Sequence, residues 1–178
     1  CNTFVSFTLN EPSSLHTNIL STDYNGYEIS CAGFSDGGID LTVSGSVSGY
    51  TYLWNNSSST EDLANLPIGM YTVNIIDANG CYISDSIFLN EPTLLQASVV
   101  LSTDYNGYNI SCNNFSDGGA VVTAIGSVPG YDYSWINGET NSNVSNLNAG
   151  AQGVLVTDGN SCTTSVSFTL NEPSQLQA

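Results

Sequence analysis

The sequence contains no lysine and no arginine among its 178 residues, and only one histidine. Without cations to meet phosphate groups, we expect no nucleic acid among its partners. The same absence excludes Schiff-base chemistry, Lys–Asn isopeptide cross-links, and salt bridges made by lysine or arginine. The 16 acidic residues give a formal net charge of −16, and we interpret them as a solvated acidic surface.

Long apolar runs are also missing, and so are closely spaced metal ligands. No stretch approaches the roughly 20 apolar residues that span a bilayer, so we expect no membrane insertion of this segment. The cysteines are not clustered at the short intervals of a zinc site. His16 is the sole side chain with a near-neutral reference pKa, and its counterpart in the repeat described below is Ala97. We therefore predict no catalytic residues and no enzyme.

What the chain does contain is a repeat with a period of about 81 residues. Ser-Thr-Asp-Tyr-Asn-Gly-Tyr occurs at 21–27 and again at 102–108. Leu-Asn-Glu-Pro occurs three times, at 9–12, 89–92 and 170–173. A fixed period of this length is typical of an array of similar modules.

The Leu-Asn-Glu-Pro segments mark the module boundaries, because proline lacks an N–H donor and ends a strand. We predict a first module at 13–92 and a second at 93–173. Residues 1–12 are then the last strand of a preceding, truncated module, and 174–178 begin the next module or form a tail. The chain begins at Cys1, in the middle of the repeat pattern, so we interpret it as a fragment, in which the absence of a signal peptide is uninformative.

The five cysteines follow the same repeat. Cys31 and Cys81 are separated by the same interval as Cys112 and Cys162, so we predict one disulfide in each module, Cys31–Cys81 and Cys112–Cys162. Each would close a loop of about 50 residues, worth roughly 4 kcal/mol in the chain-entropy model. Cys1 aligns with the second cysteine of a preceding module and is expected to be unpaired or paired upstream. Disulfides of this kind indicate an oxidising compartment or the cell exterior.

Short β-prone runs separated by turn residues, without helical periodicity, predict an all-β fold. We expect tandem immunoglobulin-like antiparallel β-sandwich modules of seven short strands, each with one disulfide. In the first module, Asn-Gly at 25–26 predicts a hairpin between 15–21 and 27–31. A second hairpin joins 70–77 to 81–89, and 63–69 is predicted to be an irregular crossing. Tyr71 is a candidate tyrosine corner, a role that Gln152 in the second module is not expected to share.

The order of these motifs resembles the SprB repeat family over essentially the whole chain. The resemblance depends on Cys31, Ser35-Asp-Gly37, Tyr50-Thr-Tyr-Leu-Trp54, Leu66, Gly69, Tyr71, Val73, Asp77, Asn79-Gly-Cys81 and Glu91-Pro92. The second module departs from it at Gln152 and at Asp158-Gly-Asn-Ser161. The resemblance implies tandem modules of long surface adhesins of Bacteroidota. It also implies export by type IX secretion to an outer-membrane-associated, extracellular filament that serves gliding motility and attachment.

Recurrent acidic and amide side chains near the first turn and the Gly-rich loop are candidate ligands for Ca²⁺, which prefers six to eight oxygens. These residues are Asp23, Asn25 and Asp36 in the first module and Asp104, Asn106 and Asp117 in the second. The alternative interpretation is turn chemistry, in which Asp accepts backbone N–H groups and Gly adopts positive φ. A cofactor is not required, and Ca²⁺ is a possible one.

Aromatic residues in the Tyr-x-Tyr-x-Trp motif allow two interpretations. Tyr52, Trp54, Tyr133 and Trp135 are predicted to lie in the cores, with each Trp packed on its disulfide, but they could instead form a sugar-stacking face. Asp85-Ser86-Ile87 is similar to the O-glycosylation sequon of these bacteria. Ser86 is therefore a tentative glycan site.

These features favour a non-enzymatic structural and adhesive segment whose partners are neighbouring repeats, an external surface or polysaccharide, and the gliding and secretion machinery of the envelope. Two other functions stay open. In one, each module binds a glycan through exposed aromatic residues. In the other, the chain is a pilus-like subunit whose residues 1–9 insert into another subunit as a donor strand.

Overall fold

The computed structural model describes residues 3–177, which form twelve strands and no helix, in two modules of six strands each. None of these residues forms a helix that could cross a membrane. The all-β prediction is confirmed. The first module comprises β1 (His16–Ser21), β2 (Gly37–Ser44), β3 (Thr51–Trp54), β4 (Leu63–Leu66), β5 (Gly69–Ile76) and β6 (Tyr82–Leu89). The second comprises β7 (Gln96–Leu101), β8 (Gly118–Ile125), β9 (Asp132–Trp135), β10 (Asn143–Leu147), β11 (Gly150–Thr157) and β12 (Thr163–Leu170).

Each module contains two three-stranded antiparallel sheets that share one hydrophobic core. The first module has the orders β1-β2-β4 and β3-β5-β6, and the second has β7-β8-β10 and β9-β11-β12. Alternate residues point inward, as in β5, where Tyr71, Val73 and Ile75 are buried and their neighbours are less so. Side chains from both sheets meet in one cluster per module. Each module is therefore a two-layered β structure, and its likeness to an immunoglobulin domain stays a prediction.

A tryptophan lies at the centre of each core. Trp54 and Trp135 are 2% and 3% exposed. Their indole N–H groups donate hydrogen bonds to the carbonyls of Thr60, at 2.9 Å, and Asn141, at 2.8 Å. Tyr52 and Tyr133 are partly buried against the same cores. Both indoles therefore lie in the cores and are not free to stack on a sugar, whereas the two tyrosines pack against the cores without being buried in them.

The predicted first hairpin is wrong beyond its turn. Asn25 and Gly26 adopt positive φ, as expected of Asn-Gly, and the backbones of Tyr24 and Tyr27 bond across the turn. However, 27–31 form no strand, and β1 pairs along its length with β2 instead. The N–H groups after the turn are used elsewhere, since those of Glu28 and Ile29 donate to the Asn90 carbonyl at 3.2 and 3.0 Å.

Two further corrections concern the stretch from 63 to 71 and its counterpart. The predicted irregular crossing contains β4, whose register on β2 is interrupted and in which Asn65 has positive φ. The Tyr71 hydroxyl donates to the Pro67 carbonyl at 3.0 Å, as a tyrosine corner does. Gln152 makes the equivalent bond, because its amide donates to the Asn148 carbonyl at 3.0 Å. The expectation that Gln152 could not share this role is wrong.

Residues 3–15 form no strand, and Phe4, Val5, Phe7 and Leu9 are 80–94% exposed. By analogy with β6, this segment needs a β5-like partner, and no strand among residues 3–177 pairs with it. Its assignment to a preceding module therefore stays a prediction. Cys1 lies outside the described residues.

Candidate functional site at the junction of the two modules

A disulfide joins the two modules. It links Cys31 to Cys162, with S–S and Cα–Cα distances of 2.01 and 5.7 Å. Cys81 and Cys112 are free and exposed. The predicted pairs Cys31–Cys81 and Cys112–Cys162, and with them one disulfide within each module, are wrong.

The physical reason is the length of β6. Cys81 directly precedes this strand, whereas the segment before Cys31 bonds to Asn90, directly after it. Eight residues of strand separate the two cysteines by about 26 Å at roughly 3.3 Å per residue. A disulfide requires Cα atoms within about 7 Å. The equal sequence intervals therefore reflected the repeat and not proximity.

The bridge lies in a small apolar cluster of its own. Cys31 and Cys162 are buried together with Leu95, and Tyr131 packs against them. Neither core tryptophan belongs to this cluster, so the predicted packing of tryptophan on a disulfide does not occur. The bridge therefore lies close to where the chain passes from the first module to the second, because the segment before Cys31 bonds to Asn90 and both cysteines pack with Leu95.

Hydrogen bonds reinforce the bridge through one side chain, that of Asn160. Its amide donates to the carbonyls of Tyr24 and Ser30, both at 3.0 Å. Its carbonyl accepts from the Asn25 side chain at 2.5 Å. We call residues 24–31 the receiving segment and residues 158–162 the docking turn. The junction is thus a docking turn of the second module seated on a receiving segment of the first.

The docking turn is shaped by Asp158, which is buried. Its carboxylate accepts from the N–H groups of Asn160 at 2.9 Å, Cys162 at 2.7 Å and Val128 at 3.2 Å. Burial alone would raise the pKa of Asp158, but the hydrogen bonds from the N–H groups of Val128, Cys162 and Asn160 outweigh it and lower the pKa. The carboxylate therefore stays ionised and holds the turn, in agreement with the turn interpretation of this motif.

The Leu-Asn-Glu-Pro segment at 89–92 forms hydrogen bonds with the receiving segment and with the loop that follows it. The Asn90 carbonyl accepts two N–H groups, as described, and the Glu91 carboxylate accepts the N–H of Gly33 at 2.7 Å. Pro92 is fully buried at the boundary of the two modules. This segment therefore joins the end of a module to the loop that carries its first cysteine, rather than acting as a boundary alone.

The candidate cation ligands serve turns in both modules. Asp23 accepts the N–H of Gly26 at 2.7 Å, and Asp36 accepts the N–H and hydroxyl of Ser30 at 3.1 and 2.5 Å. Asp104 and Asp117 make the corresponding backbone contacts in the second module, and hydrogen bonds from Ser111 lower the pKa of Asp117. Across residues 3–177, no three His, Cys, Asp or Glu side chains are grouped so that they could hold a metal. Cation binding stays a prediction.

Sequence reasoning missed the junction, although the signal was present. Asn160, Ser30 and Leu95 were not singled out, and Asn25 was assigned to a cation. Polar residues recur around the cysteines of both modules, Tyr-Asn before the first cysteine and Asn before the second, and this repetition could have indicated a contact surface. Ser86, the tentative glycan site, lies exposed on β6.

Comparison with known families identifies the repeat. Residues 28–59 and 108–140 match the model of the SprB repeat. Each matched segment contains the first cysteine of its module and ends after the core tryptophan, so it covers the second half of the receiving segment but not the docking turn. The resemblance noted in the sequence is confirmed for these segments. A comparison with curated proteins finds no match.

Proposed function

We propose, from the premise that the chain carries two SprB repeats, that it is a non-enzymatic structural and adhesive segment of a long cell-surface filament. The observation that carries this proposal is the junction, in which a buried disulfide and the hydrogen bonds of Asn160 join two modules end to end. A flexible Gly/Ser linker would let modules swing, whereas a covalent, buried junction keeps them in line.

The junction also suits a chain under tension. Cys31 and Cys162 are 131 residues apart in sequence. A pulling force applied at the two ends crosses the bridge and bypasses the chain between these residues. At about 3.3 Å per residue, the bridge prevents the chain between the two cysteines from extending by roughly 430 Å. The filament can therefore transmit force without unfolding most of either module.

The surface of the segment suits display outside the cell. Disulfides form and persist in oxidising environments such as the cell exterior. The net charge of −16 without lysine or arginine keeps such a filament soluble and leaves proteases that cut after basic residues without a site. We place it in an outer-membrane-associated filament, exported by the type IX route and moved by the gliding machinery. It would present the filament to a solid surface or a polysaccharide.

Surface labelling of intact cells tests this proposal. An antibody raised against the purified chain should label unpermeabilised cells. Beads coated with this antibody should travel along gliding cells. A cytoplasmic protein labelled under the same conditions is the control. Labelling that requires permeabilisation would refute surface display, and stationary beads on gliding cells would refute the role in motility.

One observation favours a second candidate, the donor-strand subunit. Phe4, Val5, Phe7 and Leu9 expose apolar side chains on a segment that forms no strand. Such a segment could complete the sheet of another subunit. Deleting residues 3–9 would abolish assembly in that case and would leave a filament of covalently consecutive modules intact.

A further inference from the structure

We propose that Cys81 and Cys112 are the two halves of a second junction of the same kind, formed when the first module of one copy docks on the second module of another. This inference rests on the proposed function as a filament of consecutive modules, and it names the partner of the free faces, a second copy of this chain. Both cysteines are free and exposed. They lie in the docking turn of the first module and the receiving segment of the second.

The residues that make the observed junction recur at both free faces. The receiving residues Tyr24, Asn25, Ser30 and Cys31 have identical counterparts in Tyr105, Asn106, Ser111 and Cys112. The docking residues Asn160 and Cys162 have identical counterparts in Asn79 and Cys81. The two faces therefore carry every side chain that forms a hydrogen bond or disulfide across the junction already described.

The free receiving segment, 105–112, already has the bound conformation. Tyr105 and Tyr108 bond across the turn at 2.7 and 3.3 Å, the same distances as Tyr24 and Tyr27. The Asn171 carbonyl accepts the N–H groups of Asn109 and Ile110 at 2.9 and 3.1 Å, as Asn90 does in the first module. The backbone hydrogen bonds that shape a receiving segment are therefore present without a docking turn seated on it.

The free docking turn, 77–81, is also preformed. The Asp77 carboxylate accepts the N–H groups of Asn79 and Cys81 at 2.9 and 2.7 Å, the same distances that Asp158 makes. Gly80 and Ser161 both adopt positive φ, 83° and 68°. Docking requires no rearrangement of either face, so little conformational entropy is lost on association.

The open faces are more exposed than the covered ones. Tyr105 and Tyr108 are 38% and 42% exposed, whereas Tyr24 and Tyr27 are only partly exposed. Pro173 is partly exposed, whereas Pro92 is fully buried. Since each chain carries one face of each kind, the contact between copies is head-to-tail and leaves a free face at both ends. Repeated docking therefore produces an open chain of modules, with a disulfide at every junction.

The bond forms by oxidation, for which we name a disulfide reagent as the oxidant. The Cys81 thiolate attacks one sulfur of glutathione disulfide and releases one glutathione thiolate. The Cys112 thiolate of the second copy then attacks the Cys81 sulfur and releases the other glutathione thiolate. Two protein thiols lose two protons and two electrons, and one glutathione disulfide becomes two thiols.

Oxidation of the purified full chain tests the proposal. All variants carry Cys1→Ser, so that this thiol cannot react, and retain the Cys31–Cys162 bridge. They are incubated with glutathione redox buffer in salt that screens the negative charge, and are then separated on non-reducing gels. We expect a ladder of multimers that a reductant collapses. Because trypsin has no site in this sequence, chymotryptic mapping by mass spectrometry identifies the linked peptides.

Four control variants separate docking from random oxidation. Cys112→Ser and Cys81→Ser should each stop the ladder at the dimer, since only like cysteines remain to pair. Asn79→Ala, which keeps both thiols, should slow multimer formation about tenfold, because Asn79 would make in the second junction the hydrogen bonds that Asn160 makes in the observed one. Deleting residues 3–9 should have no effect, whereas donor-strand assembly requires that segment.

The proposal is overturned if Cys81–Cys81, Cys81–Cys112 and Cys112–Cys112 links occur in statistical proportion, if Asn79→Ala reacts as fast as its parent, or if no multimer forms. None of these results bears on whether antibodies label intact cells. A failure of the second junction is therefore distinguishable from a failure of the proposed surface function.

Discussion

The receiving segment exists twice in this molecule, once covered and once open. In the first module, Ser30 and Cys31 are 9% and 6% exposed beneath the docking turn of the second. In the second module, Ser111 is partly exposed and Cys112 is exposed. The backbone hydrogen bonds of the two segments are nevertheless the same. Each module therefore forms its contact surface by itself, and the neighbour supplies burial and the covalent bond.

The strength of the covered junction comes from sulfur, apolar contact and neutral hydrogen bonds. No lysine or arginine is available to form an ion pair there. Neutral hydrogen bonds and apolar burial are insensitive to the salt screening that weakens surface charges. A junction of this composition therefore keeps its strength in saline surroundings, where a junction of ion pairs would weaken.

Removing the bridge should have the largest effect. Cys31→Ser or Cys162→Ser opens a loop of 131 residues, which corresponds to about 5 kcal/mol in the chain-entropy model. Urea unfolding under non-reducing conditions measures the loss. The matched control is Cys112→Ser, which alters the open segment and should leave the unfolding curve unchanged. Equal destabilisation by Cys31→Ser and Cys112→Ser would contradict the assigned pairing.

Removing the bridging amide should have a smaller effect. Asn160→Ala leaves the carbonyls of Tyr24 and Ser30 without their shared donor, and we expect a loss of about 1–3 kcal/mol. Asn79→Ala changes the equivalent exposed residue and should stay within about 0.5 kcal/mol. Thermal unfolding of the two variants side by side provides the measurement. The comparison of covered and open faces fails if the order is reversed.

Acid should weaken the docking turn of the first module, which the Asp77 carboxylate holds. The pKa of Asp77 is lowered from 3.8 to about 2, chiefly by the hydrogen bond from the Ser46 hydroxyl and, against burial, by backbone N–H groups including that of Cys81. The stabilisation is therefore complete above about pH 4 and is lost as the pH falls through about 2. Asp77→Asn should remove this part of the acid dependence.

Ser46→Ala is the companion variant for this experiment, because it removes the largest cause of the low pKa while leaving the carboxylate in place. Thermal unfolding between pH 2 and 6 should show the acid transition of Ser46→Ala at higher pH than that of the parent. A transition that stays at the parent's pH would show that Asp77 does not govern acid stability.

Chelation should have the smallest effect, namely none. Asp23 and Asp36 already accept hydrogen bonds from Gly26 and Ser30, and their counterparts do so in the second module. We therefore expect EDTA to leave the melting temperature unchanged in both modules. A decrease that added Ca²⁺ restores would instead establish the cation site predicted from Asp23, Asn25 and Asp36.

The sequence could predict most of the fold because its signals are local. Alternating residues such as Tyr71, Val73 and Ile75 identify a half-buried strand, and the Asp77–Gly80 motif identifies the turn that follows it. The strand predicted at 27–31 was wrong because hydrogen bonds to Asn90 are a long-range competitor that no local pattern contains. The equivalence of Gln152 and Tyr71 was missed because the shared feature is a donor position and not a residue type.

The order of residues was sufficient to predict the repeat, most strands and turns, and the set of cysteines available to pair, because the period and the side-chain alternation are local patterns. The pairing of the cysteines, in contrast, depends on the folded arrangement of the two modules. Disulfide formation depends on a distance of a few ångströms in space, and the length of β6 places Cys31 far from Cys81 and beside the docking turn of the next module. The bond predicted within each module is instead the bond that joins two modules.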